Sequence, residues 1–297
     1  MAIDPGRLAA RISSECGLEF VGSGSRAGDS GQRLVLQPAH HPPAHAFALV
    51  VEVGWRSVEI AFSPGSFASG LLEAMGDAEE AGRAAFVSVL RTSIEDGAEV
   101  GFVLNGATSS FDDPAIWRAR WQRVTLTMRK GMLPLDFSAS EHDAELVGKW
   151  VCRMSAAILA LLPVESDESL DLRNPEESVA GLPEGSRLRV EVNRYERDRR
   201  NRAAALAIHG NSCMACGLSM GDRYGAAAAG LIEVHHTTPV SQMGGSYVVD
   251  PRTDLIPLCP NCHSVAHRRS PPFSVNELRV LVGYDAIARE SDRVGRE

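Results

Sequence analysis

Two C-x-x-C pairs, Cys213/Cys216 and Cys259/Cys262, are separated by 42 residues in the last third of a 297-residue chain. Each pair can present two thiolates from one tight turn, and two such turns complete a tetrahedral four-thiolate site for structural Zn2+. A site closed by four thiolates has no open coordination position, so its ion holds the fold and does no chemistry. Disulfides are the alternative for an oxidising compartment. A thioredoxin-like redox pair would need a βαβ setting that these segments lack. Cys16 and Cys152 stand alone and read as small buried hydrophobes. Four of the nine histidines sit beside the pairs: His235 and His236 are adjacent, and His263 and His267 are four residues apart just after Cys262. On a helix, that spacing puts two imidazoles on one face, as two ligands of one metal require. Neighbouring positions on a strand point to opposite sides, so His235 and His236 should have different tasks. A lone histidine is usually a satisfied core or surface group, but that reading is hard to sustain for four together.

These residues carry a family resemblance. RNRAAALAIHGNSCMACG, IEVHHTTPVS and DPRTDLIPLCPNCHSVAH occur in that order within residues 194–269. This segment resembles the HNH (ββα-metal) endonucleases, in particular their McrA-like, modified-cytosine-dependent restriction branch. The resemblance implies a zinc-stapled ββα-metal domain and hydrolysis of DNA phosphodiester bonds. It makes His235 a ligand of a catalytic divalent cation, with His263 and His267 completing the set, and His236 the general base. Asp254 stands nine residues before His263, where the family carries asparagine. An aspartate there can accept a hydrogen bond from the His236 ring and stabilise the imidazolium. The chemistry is coherent: imidazole can take a proton from water near neutral pH, and a divalent cation neutralises charge on the phosphate and the leaving oxygen. An all-imidazole set suits Zn2+, Ni2+, Co2+ or Mn2+ better than Mg2+, although the family commonly works with Mg2+ or Mn2+. Two other readings remain open. One is a zinc-stabilised nucleic-acid-binding module without catalysis; the other is a redox or zinc sensor, which leaves the histidines unused.

Positioning these groups requires an α+β chain of two domains. Residues 1–163 read as a mixed α+β domain with helices at 5–16, 66–75, 77–95 and 141–162. Its strands are expected at 33–37, 46–53, 56–62, 98–104 and 118–128. The last helix has an apolar face of Leu146, Val147, Trp150, Met154, Ile158 and Leu161. Residues 164–186 are acidic, contain two prolines and show no apolar period, as a linker would. Residues 187–297 form the second domain: a helix over 194–209 ended by Gly210, a strand at 231–235, and a terminal helix at 274–289.

The net charge of −8 argues at first against a polyanionic partner. It is unevenly spread: residues 1–163 carry −5, residues 164–186 carry −6, and residues 187–297 carry +3. The positive share includes a stretch in which Arg197, Arg199, Arg200 and Arg202 read as phosphate contacts that give affinity without sequence choice. A solvated helix face is the simpler reading of that stretch taken alone. The tryptophans are Trp55, Trp117, Trp121 and Trp150. Trp117 and Trp121, with Arg118, Arg120 and Arg123, form the best basic–aromatic cluster of a DNA-recognition domain; core packing is the simpler reading. No run reaches the ~18–20 apolar residues of a membrane span, and MAIDPGRLAARISSECG lacks a signal core, which predicts a cytoplasmic protein. The partner expected is DNA, including DNA that carries modified bases, and two-strand cutting by a one-metal site would call for a homodimer.

Overall fold

The computed structural model describes residues 3–27, 31–136, 140–162, 199–228, 230–237, 247–269 and 271–283. The acidic segment 164–186, Arg197 and the side chain of Arg199 lie outside the described residues, as does the chain beyond 283.

The first helix, α1 (Pro5–Cys16), starts where Asp4 accepts a hydrogen bond from the Arg7 amide and Pro5 fills the first turn. It stops at Gly17, in the left-handed region at φ 72°. Seven strands follow in one sheet: β1 (Phe20–Ala27), β2 (Gly31–Pro38), β3 (Phe47–Gly54), β4 (Ser57–Pro64), β5 (Ala98–Leu104), β6 (Ala107–Thr108) and β7 (Val124–Lys130). Their spatial order is β1-β2-β3-β4-β7-β5-β6, with every neighbouring pair antiparallel. Period-2 alternation sends Phe47, Leu49, Val51 and Val53 of β3, with Val58, Ile60 and Phe62 of β4, into one core.

Three helices cover that face with α1: α2 (Ser69–Gly76), α3 (Glu80–Glu95) and α4 (Ser140–Leu161). The expected apolar face of α4 is only part of its buried surface. Val151, Cys152, Ala156, Ala157 and Ala160 are also buried, because α4 lies between the sheet, α1, α3 and the next helix, α5 (Arg199–His209). Arg153, 1% exposed, donates to the Ala207 carbonyl of α5 at 3.1 Å and to Asp96 after α3 at 2.7 Å, with its guanidinium over Trp150. Burial works against ionisation of Asp96, yet Arg153 and Lys149 hold its carboxyl below the ordinary value.

The structure departs from the expected elements in two places of the sheet. FVGSGSRA lies outside the expected strands but forms β1, because full pairing with β2 overrides its weak strand propensity. Glycine is required at Gly22, where a Cβ would stand 2.1 Å from the Pro5 carbonyl oxygen. The strand expected over 118–128 begins only at Val124. Residues Pro114–Arg118 form a 3-10 turn capped by Asp113, and the chain folds Trp121 inward. Trp121 is 1% exposed, donates from Nε1 to the Ile116 carbonyl at 2.9 Å and stacks on Trp117 at 5.2 Å. The Trp117/Trp121 pair is therefore core. Trp55, by contrast, is 73% exposed in the β3–β4 turn.

A second, smaller core gathers Leu206, Cys213, Ile232, Val234, Leu255, Ile256, Leu258, Cys259, Cys262 and Leu278. Helix α5 serves both cores: Ala204 belongs to the large one, while Ala205 and Leu206 belong to the small one. It ends at Gly210, φ 82°, whose amide caps the Leu206 carbonyl. The helix α6 (Met220–Tyr224), the strands β8 (Glu233–His236) and β9 (Leu255–Leu258), and the helices α7 (Pro260–Ala266) and α8 (Val275–Leu281) complete this part. A Ser274/Glu277 capping box starts α8 one residue after the expected point. Among the described residues, no helix is long and apolar enough to cross a membrane.

Candidate active site

β8 and β9 pair antiparallel, with His235 opposite Ile256 and His236 opposite Leu255, and α7 follows at once: a ββα unit. Its zinc-binding edge is built from two knuckles. In the first, the Leu218 carbonyl accepts from the Cys213 amide, and the Cys213 carbonyl accepts from Gly217, which is left-handed at φ 73°. The Met214 amide donates to Pro257 of β9, tying the knuckle to the sheet. The second knuckle is the start of α7, with Cys259 as N-cap and Cys262 in the first turn. The four sulfurs lie within 4.8 Å of one another. Burial works against ionisation of Cys213, but backbone amides of both knuckles outweigh it and lower its pKa. Burial and neighbouring sulfurs push Cys216 up to about 11, and raise Cys262 as well. Four thiolates crowded together repel one another, and a bound cation relieves that repulsion. The donor set, tetrad spacing and burial fit a structural zinc.

Within the same ββα unit, His235, His263 and His267 bring ring nitrogens within 4.8 Å of one another. Their ring centroids are 4.8 to 5.1 Å apart. The i,i+4 expectation for α7 holds, with His263 Nε2 and His267 Nε2 3.2 Å apart. His235 is 4% exposed, and burial plus the neighbouring histidines holds its pKa down to about 4, so its lone pair is free at neutral pH. Burial lowers His267 also, although it stands at the protein surface. Three imidazoles converging on one point, with one side open to solvent, fit a divalent cation that retains exchangeable positions.

Glu233 is a residue that the sequence reading missed. Its carboxylate accepts a hydrogen bond from His263 Nδ1. This places the proton on Nδ1 and leaves the Nε2 lone pair facing His235 and His267. The signal was available: Glu233 is two residues before His235 and so on the same side of β8. Glu233→Gln is expected to weaken cation binding at the histidine cluster about 10- to 100-fold. Calorimetric titration of Mn2+ into zinc-loaded protein checks this, and unchanged affinity would remove Glu233 from the site.

His236 is half-buried on the opposite side of β8, as alternation requires. Burial lowers its pKa, with the nearby Asp254 charge opposing. The expected hydrogen bond between them is not made among the described residues. Asp254 Oδ2 instead accepts from Tyr247 Oη and from the Asp250 amide, both at 2.8 Å, and Thr253 Oγ1 donates to its Oδ1 at 3.2 Å. Asp254 is thus the brace of a tight turn, acting on His236 through its charge. Of the arginines, Arg200 ion-pairs with Glu79 at 3.5 Å and Arg202 donates to the Gly230 carbonyl at 3.2 Å. Both tie α5 to its surroundings instead of standing free as an extended arm.

The order of side chains along β8, the turn and α7 is thus histidine pair, acid, histidine, histidine, with the thiol tetrad alongside. An HNH endonuclease family model matches residues 213–269, which span both clusters. The C-terminal domain is an HNH domain. The chain is also similar to a curated protein, the "Type IV methyl-directed restriction enzyme EcoKMcrA" of Escherichia coli (strain K12). The two are 33% identical over 117 residues, which is 35% of this chain and 38% of the relative. The HNH domain is McrA-like, and the match leaves most of either chain unaligned.

Proposed function

We propose that the chain is a metal-dependent endonuclease that hydrolyses DNA phosphodiester bonds and acts in restriction of modified or foreign DNA. The observation that carries this reading is the convergence of His235, His263 and His267 beside the four-cysteine site, with His236 on the other side of the same strand. The relative's methyl-directed restriction activity supports the finer part.

In this reading His235, His263 and His267 hold a divalent cation, which supplies charge neutralisation at the phosphate and the leaving 3′ oxygen when bound. His236 accepts a proton from the water that attacks phosphorus, and the P–O3′ bond breaks. Asp254 stabilises the resulting imidazolium by its charge, and Glu233 keeps His263 in the ligand tautomer. Outside the HNH domain, Trp55 offers an unburied ring. It lines a cleft of about 500 Å3 with Arg56, Glu99, Arg129 and Lys130, in which Arg129 pairs with Glu99 at 3.6 Å and Arg56 and Lys130 leave a net positive lining that suits a base and its phosphate.

The test is cleavage of matched DNA that is unmodified, methylated, hydroxymethylated or glucosylated. The expected result is preferential cutting of one modified form, with Trp55→Ala reducing that preference at least about tenfold. Equal cutting of all four would remove the modification reading, and cutting of none would remove the enzyme reading. The number of strands cut and the oligomeric state of the active species follow from the same digests, run over a range of protein concentrations.

A further inference from the structure

The turn that carries Asp254 is held from outside the HNH domain. Within the turn, the Asp254 amide donates to the Asp250 carbonyl at 2.9 Å, and the Asp250 amide returns a bond to Asp254 Oδ2 at 2.8 Å. Its two ends are therefore locked together. On one flank, the amide of Thr237, immediately after His236, donates to the Asp254 carbonyl at 2.8 Å. The position of the turn and that of His236 are thus linked through a single residue.

The other flank meets α3 of the large core. Ser88 Oγ donates to Asp250 Oδ1 at 3.0 Å, and the Arg252 guanidinium ion-pairs with Glu95 at 2.6 Å. Ser88 and Glu95 are seven residues apart, two helical turns, and so share one face of α3. The same Asp250 Oδ1 also takes the Arg252 amide at 3.0 Å, so both α3 contacts grip one short segment. From α5, His209 Nε2 reaches the Pro251 carbonyl at 3.2 Å. Helix α3 is itself immobilised: its side chains Phe86, Val89 and Leu90 are in the large core, and Asp96 after its end is bound by buried Arg153.

We propose that Ser88 and Glu95 are positioning residues of the HNH site. Through Asp250 and Arg252 they fix the turn that sets Asp254 against His236. The large α+β unit is then a working part of the nuclease as well as a candidate reader of DNA. The inference rests on the nuclease reading. A group held slightly out of place lowers the rate of the chemical step without changing substrate binding, whereas an exposed ion pair adds little to stability.

The experiment compares wild type with Ser88→Ala/Glu95→Ala, Glu95→Arg, and the swapped pair Glu95→Arg/Arg252→Glu. All are zinc-loaded and supplied with Mn2+. The first two variants are expected to cut about tenfold more slowly at saturating DNA with KM within twofold of wild type. The swapped pair recovers most of the loss by restoring the ion pair. Hydrogen exchange at the Thr237 and Asp254 amides, measured in parallel, is expected to accelerate about tenfold in the first two and return in the swap. Unchanged kcat and unchanged exchange would overturn the proposal, as would a rise in KM alone, which would make this face a DNA contact. If wild type cuts nothing, the nuclease reading fails and the catalytic role fails with it. The exchange measurement then still decides whether α3 holds the turn.

Discussion

His236→Ala should reduce DNA cutting about 100- to 10,000-fold, the range that loss of a general base produces, while zinc content and thermal unfolding stay at wild-type values. The separation of rate from stability is what gives this result its meaning. His236 is half-buried at a strand end and its ring makes no hydrogen bond among the described residues, whereas His235 beside it is buried in the cluster. His235→Ala should therefore fail differently, with weakened cation binding that higher Mn2+ partly restores. If His236→Ala cuts as fast as wild type, the two adjacent histidines have been given the wrong tasks.

Removal of the zinc should have the largest structural effect. The smaller core contains three of the four cysteines as buried members, and its large aliphatic side chains among the described residues, Leu206, Ile232, Val234, Leu255, Ile256, Leu258 and Leu278, are few. Such a core depends on its metal, since zinc bound only by the folded form contributes its binding free energy, about 10–16 kcal/mol in zinc-finger peptides, to folding. Cys262→Ser, or a strong chelator, is expected to melt the HNH domain and make its thiols reactive. The β1–β7 sheet, with its own core, keeps its transition, and Cys16 and Cys152 stay buried and unreactive. Burial raises both of those thiols far above the ordinary value, which reinforces their inertness. The checks are zinc stoichiometry, thiol titration and calorimetric scans before and after chelation. A single unchanged transition after complete zinc loss would contradict the role given to the tetrad.

What could be read from the sequence divides along the range of the interactions. The thiol tetrad and the histidine cluster depend on short spacings, C-x-x-C, H-H and H-x-x-x-H, whose geometry follows from a turn, a strand and one helical turn. The long helices and β3–β4 were likewise legible, from periodicity and caps. β1 was not, because its Gly and Ser content signals a loop and only the register with β2 makes it a strand. Neither was β9, where Pro257 interrupts a four-residue run and the ladder to β8 decides. Trp121 looked available as part of a basic strand until the Asp113–Pro114 turn folded it inward. The bracing of the Asp254 turn was out of reach entirely, since Ser88 and Asp250 are 162 residues apart. Asp254 illustrates the middle case: its charge acts on His236, but the hydrogen bonds it accepts come from Tyr247, Asp250 and Thr253.

The central claim, that the three-histidine cluster and His236 form a working nuclease centre, is tested most directly by plasmid cleavage. Zinc-loaded wild-type protein is incubated with modified and unmodified plasmid, first without added metal and then with Mg2+, Mn2+, Co2+ or Ni2+ in turn. Cutting is expected to appear only with added cation and to disappear in His236→Ala. Binding of plasmid without cutting under every cation would contradict it, leaving a zinc-stabilised DNA-binding module in place of an enzyme.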